Sequence, residues 1–206
     1  MTIIKEIAFT KEKNKIELYA HNLEDYQKTI LFLGCMHGDE PQGEYLINRY
    51  IDFLERKQIK TQNALLFIPK VNPDGVNKNQ RVNTNGVDIN RNFPTKNWIL
   101  ADNPEYFGGK EPASEIETKF MIEIIEEYKP DVIVLISGDS DFIPLVLDLR
   151  NKGILSPNWQ NSDNAPAINS FATEECSVIT LQYWWVESLV NGIVAKSQLA
   201  QRASVK

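Results

Sequence analysis

Thr29 to Glu40 reads TILFLGCMHGDE. Its first seven residues form a short continuous apolar run, the signature of a strand buried on both faces of a mostly parallel sheet. The next residues hold a histidine and a carboxylate three positions apart, His37 and Glu40. In a parallel α/β sheet, ligands bind in the crevice beyond the carboxyl ends of the strands, where this turn falls. An imidazole and a carboxylate on one tight turn can reach a single ion, and zinc accepts both donor types at about 2.0–2.2 Å. Gly38 permits the turn, and Asp39 is a candidate acceptor for orienting the histidine ring. Alone, such a pair equally describes a strand-end histidine followed by helix-cap acids.

The flanking sequence extends the pattern. Lys15 to His21 (KIELYAH) alternates and reads as an edge or amphipathic strand. After the turn, Glu44 to Lys57 has helical periodicity. Ala64 to Val71 (ALLFIPKV) is a second buried strand, and Asp131 to Ile136 (DVIVLI) a third. Between them, Ser114-Glu115-Ile116-Glu117 matches a capping box and opens a helix with apolar positions at Ile116, Phe120, Ile124 and Ile125. The expected fold class is α/β: a mostly parallel or mixed central sheet flanked by helices. Farther on, Cys176 to Leu181 reads as one more strand and Tyr183 to Leu199 as a final helix, while Leu155 to Thr173 is polar and weakly patterned.

Asn72 to Glu111 is dense in Asn, Gly, Pro and Asp. Roughly forty residues of loop inside a compact domain is uncommon and usually functional. Asn-Pro-Asp-Gly at 72–75 is a turn signal, with proline fixing φ and glycine supplying positive φ. Arg81 and Arg91 present rigid forks of donors suited to carboxylates and oxyanions, and Asn90 adds amide donors. Near a metal, such a loop can bind a substrate carboxylate and steady a developing oxyanion. The plain alternative is a solvated polar loop with surface arginines.

The whole chain has 206 residues, a formal net charge of -6, 42% hydrophobic residues and 24% charged residues. That bounds it to one domain, or one with an appendage, with a sizeable core. The acidic balance argues against broad phosphate neutralisation, so no nucleic-acid partner is expected. No apolar stretch reaches the roughly 18 residues of a membrane span, and no secretion signal opens the sequence. Two cysteines without a paired motif make a reduced, cytoplasmic protein the default. The oligomeric state is left open.

HGDE at 37–40, NPDG at 72–75, RVNTNGVDINRNFP at 81–94 and SEIET at 114–118 together resemble the zinc carboxypeptidases of the carboxypeptidase A type. They look most like the bacterial branch that trims murein peptides. The likeness covers about Thr29 to Ser137, roughly half the chain. It implies a zinc cofactor, with His37 and Glu40 as its first two ligands. It also implies that Arg81 polarises the scissile carbonyl and that Asn90 and Arg91 grip the terminal carboxylate of a peptide substrate. The implied chemistry is metal-assisted amide hydrolysis with a glutamate as general base.

Beyond that stretch the sequence departs from the family. The third ligand is expected to be a histidine, but Asp139 stands in its place; aspartate oxygen can ligate zinc, or harder metals such as manganese. The catalytic glutamate is expected after a late apolar strand, where SVITLQ ends on Gln182, and no tyrosine lies between Asp139 and Thr180. The chain thus divides into a carboxypeptidase-like core, 1–137, and a shortened or altered part, 138–206, that completes the same domain. Three readings follow: a zinc-dependent peptide hydrolase, acting on murein peptides or degenerate; a non-catalytic carboxylate-binding module; and a fragment of a metal-dependent nuclease. The last rests on SGDSDFIPLVLDLRNKG at 137–153, which looks like the signature of PIN-like ribonucleases, with Asp139 and Asp141 as cation ligands.

Overall fold

The apolar run becomes strand β3, Thr29–Gly34, at the centre of the sheet. In a computed structural model, the residues described are 2–95, 98–101, 103, 106–137, 168–171 and 177–182, the last two segments by strand path and pairing only. β3 pairs in parallel with β4 (Ala64–Ile68) on one side and with β5 (Val132–Ser137) on the other. β5 pairs in parallel with β7 (Ser177–Gln182), which carries the antiparallel strand β6 (Ile168–Phe171). On the far side of β4 lie β2 (Lys15–His21) and then β1 (Thr2–Phe9), both antiparallel to their neighbours. The seven strands run β1-β2-β4-β3-β5-β7-β6, a mixed sheet with a parallel centre.

Each face of the centre is covered by a helix. Helix α1 (Gln42–Arg56) turns Leu46, Ile47 and Leu54 onto Leu65, Phe67, Val134 and Ile136. Helix α3 (Ile116–Tyr128) turns Phe120, Met121, Ile124 and Ile125 toward the cluster of Leu31, Leu33, Leu66, Ile133 and Leu135. The alternation in β3 follows: Leu31 and Leu33 face one helix layer, while Ile30 and Phe32 pack in the other. This explains why the run is apolar at every position. β3 leads through α1 to β4 on one side, and the chain then returns to β5 on the other. Such a reversal opens a crevice at the carboxyl end of the strands.

Asn72 to Glu111 holds more regular structure than its composition suggests. Asn72-Pro-Asp-Gly starts helix α2 (Pro73–Lys78) instead of forming an isolated turn. Asn72 caps it by accepting from the Gly75 amide at 2.9 Å, and proline takes the first helical position, where its missing N–H costs nothing. Side chains of asparagine then replace a ladder. Asn83 Oδ1 accepts from the amides of Asn85 and Val87, and Asn83 Nδ2 donates to Glu115 at 2.8 Å and Glu117 at 3.4 Å. Asn92 Nδ2 donates to the Gly108 carbonyl and to Ser114 Oγ, while Asn92 Oδ1 accepts from the Glu115 amide.

Three expectations need correction. The capping box at Ser114 does not form: Glu115 occupies the cap position without a side-chain cap bond, and Ser114 Oγ donates to Glu115 instead. The Asn92 side chain supplies the acceptor for the Glu115 amide. Lys15 to His21 is not an edge, because β1 pairs along it, while its alternating burial fits the amphipathic alternative; a bulge between Ile4 and Glu6 breaks the alternation that would reveal β1 in the sequence. β6 lies within the stretch read as weakly patterned. Asp139, Asp141 and the expected helix 183–199 lie outside the described residues. Among the described residues no helix is long and apolar enough to cross a membrane.

Glu117 is buried beneath this loop. Burial pushes its carboxyl up to about 7; the Asn83 amide opposes the shift, and Glu115 and Asp74 add to it. A folded-state value above the ordinary 4.5 means that this group's contribution to stability is complete below that pH and is lost as pH rises through about 7. Glu117→Gln should therefore flatten the fall in stability between about pH 4.5 and 7, measured as urea midpoints across that range.

Candidate metal and carboxylate site

The turn after β3 is held on three sides. The Val71 amide donates to the Gly34 carbonyl and the Asn72 amide to the Cys35 carbonyl, both at 3.0 Å, which ties the turn to the end of β4. Gly38 N–H donates to the Arg81 carbonyl at 3.4 Å, an oxygen that also accepts from Asn72 Nδ2. At Gly38 the backbone lies against α2 so closely that an added Cβ would sit 2.0 Å from the Gly75 carbonyl carbon and 2.3 Å from the Val76 nitrogen. Glycine is thus needed here for close approach; its φ is not positive, so the turn itself does not demand it. Cys35 is buried beneath; burial pushes its thiol up to about 12, so it stays protonated.

His37 is fully buried. Its Nε2 lies 3.1 Å from Asp88 Oδ1, and its Nδ1 lies 3.6 Å from Glu40 Oε1. Asp88, not Asp39, is the ring's partner; Asp39 is exposed. Asp88 is itself buried, and groups from three residues meet on its carboxylate. Besides His37, Oδ1 accepts from the Asn90 amide at 2.9 Å, while Arg81 approaches Oδ2 through Nε and a terminal nitrogen, both at 3.1 Å. Burial opposes ionisation of Asp88, yet His37, Arg81 and Arg91 hold its carboxyl below the usual range. Burial likewise disfavours a charged His37, but Asp88 and Glu40 outweigh it and push the imidazole up to about 9.

Asn90 and Arg91 lie in a single 3-10 turn, Ile89–Arg91, capped by the Asp88 side chain. Asn90 is fully buried, and neither atom of its side-chain amide has a hydrogen-bond partner among the described residues. A buried orphan amide is costly, so the position suits a ligand that supplies the missing partner. The guanidinium carbons of Arg81 and Arg91 lie 5.7 and 5.6 Å from the ring centre of Tyr106, within cation–π range. Tyr106 escaped the sequence reading, having no motif of its own.

The donor set fits a zinc ion. Nitrogen and oxygen ligands about 2.1 Å from a tetrahedral centre lie about 3.4 Å apart, close to the His37–Glu40 spacing of 3.6 Å. A neutral His37 with its Nε2 proton on Asp88 turns the Nδ1 lone pair toward Glu40, the arrangement a metal-bound histidine needs. Among the described residues no cluster of three or more His, Cys, Asp or Glu forms a complete site. Asp139 lies outside those residues. His21 is not a substitute. It pairs with Leu65 near the start of β4, at the opposite end of the sheet, and its ring contacts Thr2 Oγ1 and the Ile59 carbonyl.

The sequence profile of the zinc carboxypeptidase family matches residues 5–174. A murein peptide amidase A from Escherichia coli is 30% identical over 116 residues, covering 50% of this chain and 46% of the relative. Thus the chain spans about half the length of that relative. Among solved structures, a murein-tripeptide amidase from Escherichia coli superposes with a TM-score of 0.51 at 22% identity, covering 66% of this chain and 60% of the other. A metallo-carboxypeptidase from Pseudomonas aeruginosa gives 0.55 at 18% identity, covering 88% and 55%. At these identities the superpositions show a shared fold.

Two substitutions probe this geometry. Asp88→Asn should lower the His37 pKa from about 9 toward the ordinary 6.5, read from imidazole NMR titration of the metal-free protein. A raised histidine value stabilises the fold fully below pH 6.5 and less as pH climbs through about 9, so Asp88→Asn should cost more stability at low pH than above 9. Gly38→Ala should displace the turn from α2 and lower the stability by about 1–3 kcal/mol, measured by urea unfolding.

Proposed function

This chain belongs to the zinc carboxypeptidase family, and we propose that it is a zinc-dependent peptide hydrolase for substrates with a free carboxylate, with murein-type peptides the leading class. His37 and Glu40 would hold the ion, with Asp139 as the third ligand. The observation that carries this reading is the His37–Glu40 pair, set at ligand spacing by Asp88 and lying within one network with an orphaned Asn90. The chemistry that bound zinc supplies is Lewis-acid polarisation of the scissile carbonyl.

The protein's own residues do the rest. Asn90 and Arg91 bind the substrate carboxylate: the amide donates one hydrogen bond and the guanidinium a charged pair. Arg81, steadied against Asp88 and Tyr106, donates to the carbonyl oxygen as negative charge develops there. Asp88 holds the His37 ring in one orientation and tautomer. The murein preference rests on the printed activities of relatives that this chain matches over part of their length. A free, buried Cys35 agrees with a reducing, cytoplasmic setting.

One observation favours a second reading. β7 ends with Gln182 level with Ser137 of β5, at the sheet edge that carries the site. Glutamine cannot take a proton as a general base, so a module that binds a carboxylate without turnover also fits.

Zinc content, peptide binding and hydrolysis separate these readings. For the enzyme, wild type binds about one equivalent of zinc, His37→Ala and Asp139→Ala lose it, and a murein tripeptide is cleaved. Arg91→Met should weaken binding of a free-carboxylate peptide by about 2 kcal/mol or more, roughly 30-fold, and leave binding of its amidated form unchanged. Binding with that selectivity but no cleavage supports the non-catalytic module. No zinc uptake and no carboxylate selectivity would overturn both.

A further inference from the structure

We propose that Cys35 is a positioning residue for Glu40: its thiol ties the main chain of Glu40 to the first turn of α1 and thereby sets the carboxylate facing His37. This rests on reading His37 and Glu40 as metal ligands.

The backbone supplies the first observation. Cys35 has φ of +49°, in the left-handed region that disfavours any residue with a Cβ. Glycine would sit there without strain, so the side chain is retained against a conformational cost. The second observation is what that side chain touches. Cys35 Sγ donates to the Glu40 carbonyl at 3.4 Å and accepts from the Glu44 amide at 3.1 Å. Only the protonated thiol can do both.

Helix α1 needs that acceptor. Pro41 holds its cap position, and no side-chain cap bond is made there. The first amides of a helix lack intrahelical partners, and Glu44 N–H belongs to that first turn. The Glu40 carbonyl is otherwise met by the Gly43 amide at 3.5 Å, a long contact. An added Cβ at Gly43 would come 2.7 Å from the Cys35 nitrogen, so the helix start packs directly on this corner. The thiol therefore closes the segment 40–44 against the end of β3. Because His37 is fixed separately through Asp88, Cys35 governs the other half of the pair, and loss of its contacts should change the His37–Glu40 spacing without unfolding the sheet.

The test is zinc affinity, by chelator competition, beside the urea midpoint of the metal-free protein, for wild type, Cys35→Ala, Cys35→Gly and Cys35→Ser. Outer-shell supports of metal ligands typically contribute about 10–100-fold in affinity. Cys35→Ala and Cys35→Gly should weaken zinc binding roughly ten-fold, and Cys35→Ser, which keeps a donor and an acceptor, should recover most of it. Compared as free energies, the metal-free stability should fall by less than the zinc affinity in Cys35→Ala, which leaves the Glu44 amide without this acceptor, and by less again in Cys35→Gly, where the left-handed strain is relieved. Wild-type affinity in Cys35→Ala overturns the inference. So does an affinity loss matched by an equal loss of metal-free stability, or a serine variant as weak as alanine. If wild type takes up no zinc, the ligand reading itself fails and takes this inference with it.

Discussion

The Asp88 carboxylate is the point on which the site depends. It is buried, it faces an imidazole and a guanidinium, and it caps the turn that carries Asn90 and Arg91. An uncompensated carboxylate at that depth would cost several kcal/mol, so its partners are required as much as they are held. This reciprocity links two distant segments. The turn after β3 and the loop after α2 are 51 residues apart at the His37–Asp88 contact, and the carboxylate fixes each relative to the other. His37 thereby has one ring nitrogen committed and the other directed toward Glu40.

A loop can hold such a group only if its own backbone is satisfied, because buried amides and carbonyls need partners. Here asparagine side chains do what strand pairing does elsewhere. Asn72, Asn83 and Asn92 each present a carbonyl and an amide to the main chain or to side chains of neighbouring turns. Each is buried, so each bond forms away from competing water. The polar composition of the segment is therefore an interior polar network, and its richness in asparagine has a structural cause.

The sheet centre was legible because burial on two faces demands apolar residues without interruption, and β3, β4 and β5 meet that demand. Helices α1 and α3 were legible from their spacing. β1 was not, since the bulge at Lys5 breaks its period. α2 was not, because a helix opening Asn-Pro-Asp-Gly carries the same residues as a turn; only the continuation distinguishes them. At the site, His37 and Glu40 were found because they are neighbours on one turn. The orienting acid was sought at Asp39 for the same reason and lies at Asp88. The one signal available was Asp88's place between Val87 and Ile89, two apolar residues within the polar stretch 83–92 and both buried.

In the proposed reading, carboxylate binding and turnover draw on different parts of this chain. The quoted motifs occupy the carboxyl ends of β3 and β4 and the loop before α3, and among the described residues Asp88 joins them into one network. A peptide carboxylate would, in that reading, need only that network, because its recognition is a matter of donors already in place. Hydrolysis needs more: a further ligand and a group able to take and return a proton, and both fall to the strands beyond β5. There β7 continues the parallel sheet in register with β5, so the scaffold that would carry such a group persists even where its expected residue is Gln182. In the second reading, that of a non-catalytic module, a scaffold kept while its expected base is Gln182 would separate binding from catalysis. Under that reading the two capacities would answer to different segments, the network around Asp88 for the first and the chain beyond β5 for the second.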